Sequence, residues 1–148
     1  MERISWHKYF MEIAFIVSKR STCVRRKVGA IATKGNHIIS MGYNGAPTGF
    51  AHCLDIGCLR ENLGVPSGQR HELCRAVHAE QNMIIQAATS GVSLLDSIVY
   101  CTTYPCVICM KMLINSKVKS IYFAEGYPDE MSVKMADESN INIIQMEN

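Results

Sequence analysis

The chain has 148 residues, 48% hydrophobic and 19% charged, and 15 Lys and Arg against 13 Asp and Glu give a formal net charge of +2. Such a composition fits one compact domain, residues 1–148, able to bury roughly 70% of its unfolded surface without a disulfide framework. No apolar run approaches the ~20 residues that span a bilayer, so no membrane role is expected, and so small a charge advertises no nucleic-acid surface.

In chain order, Ser5 to about Lys19 reads as an amphipathic helix. Trp6, Tyr9, Phe10, Ile13, Phe15, Ile16 and Val17 recur near helical spacing, and Ser5 can cap the start. Val28 to Thr33 and His37 to Met41 read as strands joined by a turn at Lys34-Gly35-Asn36. Gly42 to about Leu73 is irregular, rich in glycine, proline, polar residues and cysteine, and a loop this long inside a compact domain is usually functional. A helix follows over about Val77 to Thr89, then a buried strand over Ser97 to Thr102. Pro105 to Ser116 reads as a helix opening with proline. Ser120 to Ala124 is a third buried strand, about Glu130 to Asn140 a polar helix, and Ile141 to Met146 a closing strand. This alternation predicts an α/β fold, a three-layer α-β-α sandwich around a mixed five-stranded sheet.

There are seven cysteines, at 23, 53, 58, 74, 101, 106 and 109, and an odd number cannot all pair within the chain. Met1 to Trp6 lacks the layout of a secretory signal. The expected compartment is therefore the reducing cytoplasm, where metal binding or catalysis is a better reading than disulfides.

His78-Ala79-Glu80 and Cys106-Val107-Ile108-Cys109 each fall at a predicted helix start. One imidazole and two thiolates suit zinc and leave its fourth tetrahedral position open, which marks a catalytic rather than a structural site. The positive ends of two helix dipoles favour thiolate over thiol. Glu80, two residues from His78, can serve as general acid and base without ligating the metal. Taken singly, His78 is an ordinary helix-start histidine, Cys106 and Cys109 a redox pair or half of a structural site, and Glu80 a solvated carboxylate. With Pro105 ahead of Cys106, they form the H-x-E…P-C-x-x-C signature of zinc-dependent nucleobase deaminases.

Nearly the whole chain resembles the cytidine and deoxycytidylate deaminase superfamily, most closely its deoxycytidylate (dCMP) branch. The matching stretches are residues 21–30 (STCVRRKVGA), 42–47 (GYNGAP), the Cys/His-rich insertion at about 50–75, 78–82 (HAEQN) and 102–109 (TTYPCVIC). The resemblance implies a cytidine deaminase-like fold and hydrolysis of dCMP to dUMP and ammonia, supplying dUMP for thymidylate synthesis. It implies that His78, Cys106 and Cys109 hold a catalytic zinc, that Glu80 shuttles protons, and that the Ala79 amide holds the pyrimidine carbonyl. Asn44 would contact the sugar, Arg25 and Arg26 would supply charge for a 5′-phosphate, and Tyr127 would line the pocket. Each of these has an ordinary reading too: Asn44-Gly45 is a good turn, Arg25-Arg26-Lys27 a solvated run, Tyr127 simple packing. The branch further implies a homo-oligomer, commonly a hexamer, activated by dCTP and inhibited by dTTP, with magnesium accompanying the triphosphate.

Five more metal-competent residues remain: Cys23, Cys53, Cys58, His71 and Cys74. Four of them would make a closed shell for a second, structural zinc, with Cys23, Cys53, His71 and Cys74 the preferred set and Cys58 the competitor for the last place. The other reading is free surface thiols. Cys101, in an apolar strand, reads as a small buried hydrophobe. The competing functions are deamination of another base or nucleotide, such as tRNA adenosine or a modified dCMP, and an inactive zinc-organised binding module. Glu80 favours an enzyme, since a structural site has no use for a carboxylate beside its histidine.

Overall fold

The computed structural model describes residues 1–126 and 128–147. The elements are α1 (Trp6–Ser18), β1 (Gly29–Lys34), β2 (His37–Tyr43), α2 (Cys53–Ile56), α3 (Leu59–Asn62), a 3₁₀ turn (His71–Leu73), α4 (Ala79–Thr89), β3 (Ile98–Thr103), α5 (Val107–Asn115), β4 (Ser120–Glu125), α6 (Glu130–Ser139) and β5 (Asn142–Gln145).

α1 begins as its sequence dictates: the Ser5 hydroxyl accepts from the Lys8 amide at 3.2 Å, filling one of the donors a helix start leaves open. β1 and β2 form a hairpin with Lys34 opposite His37, and the residues between them, Gly35 and Asn36, have φ of 55° and 62°. Positive φ at both central positions is what the tight right-twisting hairpin turn demands, and glycine and asparagine tolerate it best.

The five strands lie in the order β2-β1-β3-β4-β5. β1 runs antiparallel to both β2 and β3, and β3, β4 and β5 run parallel, so the sheet is mixed. Pleat alternation divides the core in two. Ile31 and Tyr100 face Phe10, Met11 and Ala14 of α1 on one side. Ala30, Ala32, Val99 and Cys101 face the other side, against Met83 of α4, Met110 and Leu113 of α5 and Ala136 of α6. The three layers are therefore α1, the sheet, and α4 to α6. Cys101 is fully buried, as its apolar strand suggests.

Two helix starts differ from the sequence reading. α4 begins at Ala79, not Val77, because Val77 is tied in a short antiparallel bridge to Gly45, with backbone hydrogen bonds of 2.8 and 3.1 Å. α5 begins at Val107 with Cys106 extended before it, so Pro105 precedes the helix; the Ser132 hydroxyl donates to the Pro105 carbonyl at 2.8 Å. The 42–73 stretch also carries two single-turn helices and a 3₁₀ turn that its composition hides. Among the described residues, no helix is long and apolar enough to cross a membrane.

Candidate active site

The site lies where two helix starts meet at the carboxyl end of β3, the end at which open α/β sheets hold their ligands. His78 and Cys106 are the residues just before α4 and α5, both with extended backbone (ψ 156° and 168°). Gln81 reaches back to accept from the His78 amide at 2.8 Å and fixes that start. α4 is seated on β2 through Gly42, where any Cβ would collide with the Ala79 carbonyl and the Met83 amide.

His78 Nδ1 lies 3.5 Å from Cys106 Sγ and 3.4 Å from Cys109 Sγ. A tetrahedral zinc with Zn–S about 2.3 Å and Zn–N about 2.0–2.1 Å sets nitrogen and sulfur about 3.6 Å apart. The three residues therefore fit zinc by spacing as well as by donor chemistry. No other trio of His, Cys, Asp or Glu ligand atoms among the described residues lies within 4.8 Å of one another.

The charge state of the triad follows from its contacts. The hydrogen bond from the Cys109 thiol, then that with His78, pulls Cys106 down to about 3 against the opposing effect of burial. The same bond and burial hold the Cys109 proton well above the ordinary thiol range. The pair thus carries one negative charge, focused on Cys106. His78 is raised by its bond with Cys106, against desolvation. Glu80, 3% exposed, is raised above the carboxylate range by burial, with the His78 charge opposing.

Above the triad opens a cavity of about 210 Å³ with His78, Ala79, Glu80 and Cys106 among its lining residues. Arg25, Arg26 and Asn44 line it too, so those sequence candidates come together with the triad. Asn44 is engaged with its own chain: its Oδ1 accepts from the Val28 amide at 2.9 Å and its Nδ2 donates to the Arg26 carbonyl at 2.8 Å. It braces the segment carrying the two arginines. Tyr127 lies outside the described residues. The cavity also presents Arg60, Thr103, Tyr104 and Asp129, which sequence reasoning passed over. Asp129 had a signal, as a capping residue before a polar helix; Arg60, inside a loop read for its cysteines, had none.

In the second group of metal-competent residues, Cys53 is raised first by burial and then by the charges of Cys23, Cys58 and Cys74. Cys23 Sγ accepts from the amides of Arg25 and Arg26 at 3.4 and 3.5 Å. The His71 ring is 5.1 Å from that of His78, its Nδ1 is 3.3 Å from Arg60 Nη1, and its pKa is lowered by burial.

Fold and site together define a class: a mixed-sheet α/β sandwich with a three-ligand zinc position, open on its cavity side and flanked by a buried carboxylate. A model of the "Cytidine and deoxycytidylate deaminase zinc-binding region" matches residues 4–125. The chain belongs to this cytidine and deoxycytidylate deaminase family. It is 36% identical over 148 residues to ComE operon protein 2 of Bacillus subtilis (strain 168), covering 99% of this chain and 74% of that one. It is 37% identical over 125 residues to the deoxycytidylate deaminase of Schizosaccharomyces pombe, covering 84% of this chain but only 38% of that longer protein. The structure of a cyanophage S-TIM5 dCMP deaminase in complex with dCMP and dUMP superposes with a TM-score of 0.81 at 30% identity, covering 99% of this chain and 100% of that one.

Proposed function

We propose that this chain is a dCMP deaminase: it replaces the 4-amino group of dCMP with oxygen from water, giving dUMP and ammonia. The observation that carries the reading is the zinc-spaced triad with buried Glu80 beside it, lining a cavity that also carries arginines. The dCMP-named relatives support the substrate.

His78 Nδ1, Cys106 and Cys109 would hold a zinc ion, which would supply an activated water by lowering its pKa to about 7. The protein supplies the proton handling. Burial raises the Glu80 pKa and so favours its protonated form. Glu80 delivers that proton to the ring nitrogen, takes a second from the hydroxyl added at carbon 4 and passes it to the departing amine, the work of a general acid and base. Ala79 is the first residue of α4, so its amide is one of those a helix start leaves unpaired, and it donates to the pyrimidine carbonyl. Asn44 holds the substrate loop and contacts the sugar, and Arg25 and Arg26 face the 5′-phosphate.

A second, structural zinc orders the insertion at about 50–75. The thiols of Cys23, Cys58 and Cys74, whose charges act on Cys53, support a shell drawn from Cys23, Cys53, His71 and Cys74, with Cys58 the alternative. The enzyme works in the cytoplasm, within residues 1–148 as one domain, as a homo-oligomer of hexameric type. There dCTP with magnesium activates it, dTTP inhibits it, and its dUMP feeds thymidylate synthesis.

Ammonia release from dCMP, deoxycytidine, a hydroxymethylated dCMP and a tRNA anticodon stem tests the substrate. Turnover preferring dCMP is expected. Preference for the modified nucleotide or the RNA would move the assignment to that substrate, and a zinc-loaded protein inert toward all four would make it a binding module.

A further inference from the structure

Arg60 sits in α3 of the insertion, is only 8% exposed, and lines the same cavity as the triad. A guanidinium cannot shed its charge on burial, so it calls for a partner that is charged or at least fully hydrogen-bonded. Among the described residues Arg60 meets only neutral groups. Its Nη1 donates to the Gln69 carbonyl at 2.9 Å and faces His71 Nδ1 at 3.3 Å, while its buried Nε has no acceptor. Arg25 repeats the pattern: Nη2 donates to the Val65 carbonyl at 2.7 Å, and Nη1 is buried without an acceptor.

No carboxylate among the described residues pairs with either arginine, since the ion pair they contain is Arg70 with Glu72. Of the cavity's own acids, Asp129 caps α6, its Oδ1 accepting from the Ser132 amide at 2.7 Å. Glu80 is the buried carboxyl beside the triad. Two guanidiniums with orphaned donors, on one cavity and without a counter-ion from the protein, are the complement of an anion that arrives with the ligand. Bracing the insertion would explain the contact of Arg60 with Gln69; it leaves the charge and Nε unexplained.

We propose that Arg60, together with Arg25, binds the 5′-phosphate of the nucleotide substrate, so that the insertion selects nucleotide over nucleoside. The proposal rests on the nucleotide reading above and adds to it a phosphate ligand from a segment read only for its metal-binding residues. The guanidinium fork matches phosphate oxygens two at a time. A nucleoside entering the cavity leaves both cations unpaired, which is the arrangement that rejects an analogue lacking one polar group most strongly.

The test is steady-state kinetics of zinc-loaded wild type, Arg60→Gln and Arg60→Lys, with dCMP and deoxycytidine at fixed ionic strength. The quantity read is the ratio of kcat/KM for dCMP to that for deoxycytidine. Arg60→Gln should lower it roughly 10- to 100-fold, chiefly through the KM for dCMP, as loss of a charged hydrogen bond predicts. Arg60→Lys, which keeps the charge and loses the fork, should fall between. A ratio unchanged in both variants, even with both substrates slowed alike, overturns the proposal and leaves Arg60 as a brace. Should Arg60→Gln not fold, Arg60→Lys decides alone, a drop of less than about threefold counting against. A wild type that turns over deoxycytidine but not dCMP refutes the nucleotide reading and this proposal with it.

Discussion

The proton inventory of the triad can be read as the pH dependence of zinc binding. Zinc takes two thiolates and a neutral imidazole, so every proton those groups hold beforehand must leave. Cys106, pulled down to about 3, holds none at neutral pH, whereas Cys109 keeps its proton. His78, raised above its ordinary value, keeps a second proton until the pH passes its own pKa. Affinity therefore rises with pH, by about a factor of ten per unit for each proton displaced, or about 1.4 kcal/mol. The slope of log K against pH should fall from about 2 below the His78 pKa towards about 1 above it. Chelator competition on a Cys53→Ser protein, which isolates this site, measures it. Two thiols of ordinary pKa would give a slope of about 3 while His78 is still protonated, and that result would refute the shared-proton account.

Glu80→Gln keeps the side-chain shape and removes the proton carrier. It should retain the catalytic zinc by metal analysis while kcat falls ~10²- to 10⁴-fold, and turnover within tenfold of wild type would end the assignment of Glu80 as acid and base. Gly42→Ala would press a methyl group into the Ala79 carbonyl and Met83 amide, backbone atoms that cannot rotate away. It should cost about 1–3 kcal/mol in thermal unfolding and shift α4, and with it His78 and Glu80, so that activity drops along with stability; an unchanged melting temperature contradicts this packing. Cys53→Ser should lower zinc content from two per chain to one and weaken discrimination between dCMP and deoxycytidine, because Cys53 heads α2 in the segment that carries Arg60. One zinc per chain in the wild type, unaltered by the substitution, dismisses the second site.

What could be read from the sequence was what short-range physics decides. The turn at Gly35-Asn36 was legible because its positive φ values require those residue types. Ser5 announced α1 through a hydrogen bond to a residue three positions away. The triad was legible for a different reason: its ligand types and their places at two helix starts are set by the metal, so the pattern survives without knowledge of the path between them. The boundaries that slipped were set from a distance. Val77 belongs to a bridge with Gly45, and Pro105 is held ahead of α5 by contact with Ser132.

The insertion shows the limit of such reading most clearly. Its cysteines and His71 look interchangeable as ligands along the chain, and only the fold shows the imidazole ring 5.1 Å from that of His78. Arg60 was invisible for a related reason. An arginine in a polar loop is by default a solvated charge, and what gives this one meaning is that burial removed its water while the chain supplied no anion. Motif spacing reveals groups that act on a shared atom. Unpaired burial reveals a group whose partner is the ligand, and that signal exists only once the loop has folded over the cavity.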